Sequence, residues 1–454
     1  MLPTVNTPLI DSISGTRGIV GDNLDPRIAT EIGIAFGTYL GKGPLIVGGD
    51  TRTSHDMLKN AVIAGLLAMG TDVIDIGRVL TPTVQQMIRK FNAKGGIVIT
   101  ASHNPIIWNG IKLMNQTGSF LSESEFQIYQ DIRKHKDFTL KNWESIGKLT
   151  HYEYAIQDHI DHILSVIDTT AIQTANLNVL IDPNNGAGCL ANGLLLDRLN
   201  IRYDMINAEP NGIFGHNPEP LKENLTEIME IMKNDTSYDI GFIQDADADR
   251  LVILDENGHF IGEDYSLAFC VDQILGDCKD TDKKVVVNLS TSSVVEYIAK
   301  KHNASITYTK IGETHVTQEL KKQHAQVGGE GNGGVIYPAV GWGRDSLVGI
   351  VIALKHLAEK KQTVSQIIAT YPTYVMLREK VTLNTRDDVF PFLEKVKATF
   401  PEAQFNLEDG VKAILKDAWV QVRPSNTEPI ARIFIEAASM EIAKILFLKL
   451  ANVQ

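Results

Sequence analysis

The sequence predicts an α/β protein: three related α/β modules with mixed, mostly parallel sheets, then a smaller C-terminal α+β domain. Two observations carry this reading. A strand–polar turn–helix–strand unit of nearly equal length recurs three times in 454 residues, and no fourth copy follows Pro372. Parallel strands require helical crossovers, which cover the sheet and bury it.

The first unit runs from Leu45-Ile46-Val47 through Gly48-Gly49-Asp50 into a helix near Ser54 to Met69, then the strand Asp72–Ile76. The second runs from Asn178–Asp182 through Asn185-Gly186-Ala187-Gly188 into a helix near Cys189 to Leu199, then Arg202–Ile206. The third runs from Val285–Asn288 through Ser290-Thr291-Ser292 into a helix near Val294 to His302, then Ser305–Tyr308. The polar stretch Lys134 to Leu149 and a linker helix near Tyr152 to Val166 separate the first two modules. Asp255-Glu256-Asn257-Gly258 is a turn signal closing the second, and Tyr371-Pro372 closes the third. The expected domains are therefore 1–150, 151–257, 258–372 and 373–454. The last ends in strands around Trp419 to Arg423 and Arg432 to Glu436, then a helix to Leu450.

Composition excludes several classes. With 43 Lys and Arg against 55 Asp and Glu, the net charge of -12 lacks the basic footprint that nucleic acid requires. No apolar run is long enough for a membrane span. Met1 to Asn6 shows no basic region followed by an apolar core, so the expected location is cytoplasmic. Cys189, Cys270 and Cys278 have no zinc spacing and cannot all pair, as in a reducing compartment.

Three short motifs carry the chemistry. Thr100-Ala101-Ser102-His103-Asn104-Pro105 leaves the apolar strand Ile97-Val98-Ile99 as a loop, placing a serine hydroxyl where open α/β sheets bind ligands. Alone, Ser-His also fits a helix cap. Asp245-Ala246-Asp247-Ala248-Asp249-Arg250 lies between two apolar runs. Three alternate carboxylates repel one another unless a hard cation such as Mg²⁺ sits between them. The spacing resembles an EF-hand, but Arg250 stands where the turn needs glycine and the flanks are strand-like. Solvated turn aspartates are the plainer reading. Arg423-Pro424-Ser425-Asn426-Thr427-Glu428-Pro429 offers a guanidinium, two hydroxyls and an amide, a phosphate clamp or an ordinary polar turn.

The order of these three motifs resembles that of the α-D-phosphohexomutases. Ser14-Gly15-Thr16-Arg17-Gly18 and Gly329-Glu330-Gly331-Asn332-Gly333-Gly334 match two further family elements. The likeness spans about residues 10 to 435. It implies four domains around a central cleft, one loop from each, and a phosphoryl group moved between two hydroxyls of one hexose. Ser102 is then the carrier, resting as phosphoserine. Asp245, Asp247 and Asp249 hold Mg²⁺ with an oxygen on Ser102 as a further ligand, and a hexose 1,6-bisphosphate is the intermediate.

Arg17 and Lys112 match the family's basic residues beside the phosphoserine, Arg17 as electrostatic stabiliser and Lys112 as proton-transfer candidate. Without the family, Lys112 also reads as a solvated lysine. His103 orients the phosphoserine, assists proton transfer, or is a plain loop histidine. Arg250 is expected to reach the substrate. Arg423, Ser425, Asn426 and Thr427 are expected to hold the phosphate that is not reacting, and Glu330 and Asn332 the ring hydroxyls. The family's frequent loop-ending histidine is Gly334 here, a form similar to loops of phosphoglucosamine mutases and of some archaeal phosphosugar mutases. The expected substrate is glucosamine 6-phosphate; the alternative is broad specificity for glucose and mannose phosphates. The expected assembly is a monomer or homodimer. A Mg²⁺-dependent phosphatase would not need the distant clamp, and a non-catalytic binding protein would be free to lose Ser102 or an aspartate.

Overall fold

Short apolar runs flanked by glycine and polar turns give strands here, and amphipathic stretches between them give the covering helices. The computed structural model describes residues 9–383, 385, 387–424 and 430–451. The first sheet holds β1 (Ile10–Ser12), β2 (Gly15–Ile19), β3 (Leu45–Gly49), β4 (Val73–Arg78), β5 (Gly95–Ile99), β6 (Trp108–Asn115) and β7 (Leu149–His151) in the order β1-β2-β6-β5-β3-β4-β7. The second holds β8 (Asn178–Asp182), β9 (Arg202–Met205), β10 (Ile240–Gln244) and β11 (Leu251–Leu254) in the order β11-β10-β8-β9. The third holds β12 (Lys284–Asn288), β13 (Ser305–Thr309), β14 (Val327–Glu330) and β15 (Gly334–Ile336) in the order β13-β12-β14-β15. The fourth, antiparallel throughout, holds β16 (Val375–Thr382), β17 (Gln404–Asn406), β18 (Val411–Ile414), β19 (Ala418–Pro424) and β20 (Ile430–Ala437) in the order β16-β20-β19-β18-β17.

One four-strand pattern recurs in the first three sheets: β4-β3-β5-β6, β9-β8-β10-β11 and β13-β12-β14-β15. In each, three strands are parallel and the last is antiparallel to its neighbour. The antiparallel strand follows the third parallel one directly. The loop joining them therefore leaves the carboxyl end of a buried strand. That one topological slot carries Ser102 in the first sheet, Asp245 to Asp249 in the second, and the Glu330–Asn332 turn in the third.

The expected helix near Cys189 to Leu199 differs in detail. It is a 3₁₀ turn, Ala187–Leu190, followed by a helix over Asn192–Arg198. Gly188 packs so closely on Gln244 that a Cβ there would lie 1.9 Å from its side-chain oxygen, and the chain tightens to accommodate it.

The second and third sheets share one continuous apolar core, from Ile181 and Phe242 through Leu251 and Leu267 to Val287 and Val351. The fourth sheet has its own core around Phe392, Val420 and Ile433. All three cysteines are free. Among the described residues, no helix is long and apolar enough to cross a membrane.

Candidate active site

The serine loop is built around a buried arginine. Thr100 Oγ1 accepts from the Ser102 backbone N–H at 2.9 Å and donates to Asp50. The Arg52 guanidinium, 1% exposed, donates to the carbonyls of Ser102 (2.7 Å), Asn104 (2.6 Å), Pro105 (2.9 Å) and Trp108 (2.9 Å). The loop wraps this guanidinium fork, which holds four of its carbonyls. Ser102 is held at φ +52°, a strained conformation for a non-glycine residue and one that clusters at functional sites. Its hydroxyl donates to Asp245 Oδ2 at 3.0 Å and faces His103 Nδ1 at 3.3 Å.

Asp245, Asp247 and Asp249 are buried together, with one ligand oxygen from each within 4.8 Å of the others. Asp245 Oδ1 accepts from the backbone N–H groups of Asp249 and Arg250, both at 3.1 Å. Asp247 Oδ2 accepts from Lys112 Nζ at 2.7 Å and Thr81 Oγ1 at 2.6 Å, and Asp249 Oδ2 from Arg344 Nη2 at 2.6 Å. The other oxygens, Asp247 Oδ1 and Asp249 Oδ1, are buried without a partner. Orphaned buried oxygens are rare, and two converging from carboxylates suit a hard divalent cation. The residues therefore fit Mg²⁺.

The electrostatics point the same way. Burial, then the charges of Asp249 and Asp247, pushes the Asp245 carboxyl well above the usual carboxylate range. Burial opposes ionisation of Asp247 too, but the Lys112 ammonium and the Lys112 and Thr81 hydrogen bonds hold it below that range. A cation placed among them relieves the repulsion that raises Asp245.

The other predicted basic residues surround the serine. Arg17 Nη1 donates to Asn104 Oδ1 at 2.9 Å. Arg250 Nη2 donates to His103 Nδ1 at 2.8 Å, and its Nε lies 3.8 Å from Asp245 and 3.9 Å from Asp249. Burial, then Arg250 and Arg17, drives the His103 imidazole well below its ordinary value, so it is neutral at pH 7. Lys112 reaches the site because β5 and β6 pair Val98 with Lys112.

His103, Arg250, Glu330, Asn332 and Arg423 line one cavity of about 720 Å³, which Arg378, Lys380 and Arg432 of the fourth domain complete. Glu219, Glu263 and Glu379 line it too, so its cations are interleaved with carboxylates and offer an anionic ligand point contacts rather than a uniform positive field. Glu330 Oε1 accepts from Asn288 Nδ2 (2.9 Å) and the Gly312 N–H (3.0 Å), and Oε2 from Arg344 Nη1 (3.1 Å). Asn332 Oδ1 accepts from the Gly334 N–H at 3.2 Å. Arg423 Nε donates to Asp409 at 3.2 Å. Ser425, Asn426 and Thr427 lie outside the described residues.

Sequence reasoning missed Arg52, Thr81 and Arg344. Arg52 had a faint signal, two residues after Asp50 of the Gly48-Gly49-Asp50 turn. Arg344 is a lone arginine in Gly341-Trp342-Gly343-Arg344-Asp345 and had none.

Known proteins supply the family. The descriptions "Phosphoglucomutase/phosphomannomutase, alpha/beta/alpha domain" I, II and III match residues 12–138, 157–258 and 262–374, and the C-terminal domain of the same family matches 380–453. A phosphoglucomutase/phosphomannomutase of Thermococcus kodakarensis is 39% identical over 95% of both chains. A probable phosphoglucosamine mutase of Methanopyrus kandleri is 36% identical over 95% of this chain and 94% of its own. A phosphoglucomutase/phosphomannomutase family protein of Burkholderia thailandensis has the same fold: TM-score 0.85 at 24% identity, over 98% of this chain and 97% of that one. With its serine, carboxylate and Glu330 loops in one repeated slot, and with these relatives, the chain belongs to the phosphoglucomutase/phosphomannomutase family of phosphohexomutases.

Proposed function

We propose that this phosphohexomutase interconverts glucosamine 6-phosphate and glucosamine 1-phosphate through a phosphorylated Ser102 and a 1,6-bisphosphate intermediate. The observation that carries the phosphoserine step is the Ser102 hydroxyl 3.0 Å from Asp245, beside the orphaned oxygens of Asp247 and Asp249. Asp245, Asp247 and Asp249 would hold Mg²⁺ with an oxygen on Ser102, and the ion supplies charge neutralisation at the transferring phosphoryl group.

The chain's own residues do the rest. The bond from phosphorus to Ser102 Oγ breaks as a bond from phosphorus to the free sugar hydroxyl forms; the Lys112 ammonium gives its proton to the departing Ser102 Oγ and takes up the one the hydroxyl loses. The bisphosphate turns over and returns its other phosphoryl group to Ser102. Lys112 is the residue we assign to proton transfer, with Arg17 and Arg250 stabilising charge on the phosphoryl oxygens. His103, bonded to Arg250, orients the group on Ser102. Arg423 grips the distal phosphate, and Glu330 and Asn332 read the ring hydroxyls.

The amino-sugar choice is supported by the Gly-Glu-Gly-Asn-Gly-Gly loop and by relatives named phosphoglucosamine mutase. A relative of 39% identity named for glucose and mannose phosphates favours the second reading, broad hexose-phosphate specificity. A side-by-side kcat/KM measurement with glucosamine, glucose and mannose 6-phosphates decides between them. We expect glucosamine 6-phosphate to lead; a tenfold lead for either other sugar, about 1.4 kcal/mol of transition-state preference, overturns the amino-sugar assignment. Intact-mass analysis should find phosphate mapped to Ser102, and full activity of Ser102→Ala would sink the phosphoenzyme step.

A further inference from the structure

Arg344 and Gly334 occupy the same space. In the β14–β15 hairpin Glu330 pairs across from Gly334. A Cβ on Gly334 would lie 2.2 Å from Arg344 Cδ and 2.8 Å from its Cγ. Gly334 is absent from the positive-φ positions, so conformation does not demand a glycine there. Space does, because the stem of Arg344 runs over this residue.

The arginine then ends in three carboxylates from three elements. Nε donates to Glu313 at 2.9 Å, Nη1 to Glu330 at 3.1 Å and Nη2 to Asp249 at 2.6 Å. Arg344, Glu330, Glu313 and Asp249 are all buried. Among the described residues, Arg344 is the cation paired with Glu330. A planar guanidinium can serve three acceptors at once, whereas a lysine ammonium is a point charge on a flexible stem. Asn332 is tied to the same place through the Gly334 N–H.

We propose that Arg344 is a positioning residue for the sugar readers Glu330 and Asn332, and that position 334 is glycine to let it through. This rests on the mutase reading above. It makes a side chain at 334 and the loss of the Arg344 fork two routes to one defect.

The test measures kcat/KM for glucosamine, glucose and mannose 6-phosphates in the wild type, Gly334→Ala, Arg344→Lys, Arg344→Ala and the Gly334→Ala/Arg344→Ala double variant. Hydrogen-bonding sites discriminate through correctly placed partners, so Gly334→Ala and Arg344→Lys should each shift the ratios among the three sugars by about tenfold. Partial unfolding lowers all three rates equally and leaves the ratios fixed, which separates positioning from mere stability. Truncating Arg344 clears the contested space. The double variant should therefore match Arg344→Ala, where independent sites would add. Wild-type ratios in Gly334→Ala, or additive losses in the double variant, overturn the proposal while the mutase reading stands. If Arg344→Ala does not fold, matching shifts in Gly334→Ala and Arg344→Lys support the proposal, and unmoved ratios overturn it. A wild type that isomerises none of the three sugars fails the mutase reading itself, and this assignment with it.

Discussion

The seam between the second and third domains and the seam between the third and fourth are made differently. At the first, one apolar core continues from Ile181 and Phe242 to Val287 and Val351. Hydrogen bonds to backbone carbonyls cross it as well: Leu251 N–H donates to Gly333 O at 3.1 Å, and the Ser346 hydroxyl to Ala248 O at 2.6 Å. At the second, polar contacts dominate. Ser290 Oγ donates to Gln421 at 2.9 Å, the Ile311 N–H to Asp409 at 3.0 Å, the Ser293 N–H to Glu436 at 3.0 Å, and Arg378 to Glu263 at 3.0 Å. Separating an apolar seam exposes its area to water, at roughly 25 cal/mol per Å². A polar seam exchanges its hydrogen bonds for water at small net cost, and such interfaces are where domains move. The carboxylate loop and the Glu330 loop are thus packed on one core, while the fourth domain, bearing Arg423, meets the third through hydrogen bonds, and we expect it to be the part that moves.

The largest expected effect falls on the fixed side. Asp247→Asn keeps the size of the side chain but removes a charge from the carboxylate cluster. We expect kcat to fall about 10²- to 10³-fold, or ~3–4 kcal/mol, comparable to losing one charge-stabilising group at a transition state. KM should stay within a few-fold, and EDTA should mimic the variant. Equal activity with and without EDTA would remove the metal from the fixed half and leave the contrast without its chemical meaning.

Much of this was legible in the sequence, for a physical reason. Ser102, Asp245, Asp247 and Asp249 lie in loops that directly follow apolar strands, Glu330 ends the strand β14, and short contiguous motifs preserve their own order. The repeated β-α-β pattern marked three modules because apolar runs and glycine turns are local signals. What was not legible is long-range. Arg344 meets Asp249 across 95 positions and Thr81 meets Asp247 across 166, and nothing local to either residue foretells the partner. The helix near Cys189 was overread because apolar periodicity says nothing of Gly188 pressing on Gln244. Apolar composition cannot tell a shared core from two separate ones, so the contrast between the seams was equally hidden.

A smaller effect should appear on the side of the polar seam. Arg423 lines the cavity on the fourth domain, bonded to Asp409. On the proposed reading, Arg423→Ala removes a grip on the phosphate common to every hexose phosphate. KM should rise about tenfold, or ~1.4 kcal/mol, for all three sugars together, with kcat little changed. A loss confined to kcat would mean that the fourth domain acts in the chemical step, and the division between the two halves would fail.

The last effect falls on stability alone: a pH dependence of the polar seam. Lys412 on β18 is buried; its Nζ donates to Leu289 O at 2.6 Å and lies 3.8 Å from the Trp419 ring centroid and 5.2 Å from that of Tyr308. Burial, only partly offset by Glu436, Glu296 and Asp264, lowers the lysine to about 8 from 10.5. Leu289 and Tyr308 belong to the third domain, so seating the fourth domain helps to bury this charge. The sign follows from proton counts. Between about pH 8 and 10.5 the open or unfolded chain holds a proton that the seated form has lost, so raising the pH favours the seated form, by up to about 1.4 kcal/mol per pH unit. Below about pH 8 both forms are protonated and the cost is constant. Lys412→Met removes the titration. The melting temperature of the wild type relative to this variant should therefore be flat from pH 7 to 8 and climb from pH 8 to 10. A difference that stays flat to pH 10 would mean that Lys412 keeps its proton in the seated form. The polar seam would then be wet enough to solvate a charge, and the fourth domain would be held less tightly still.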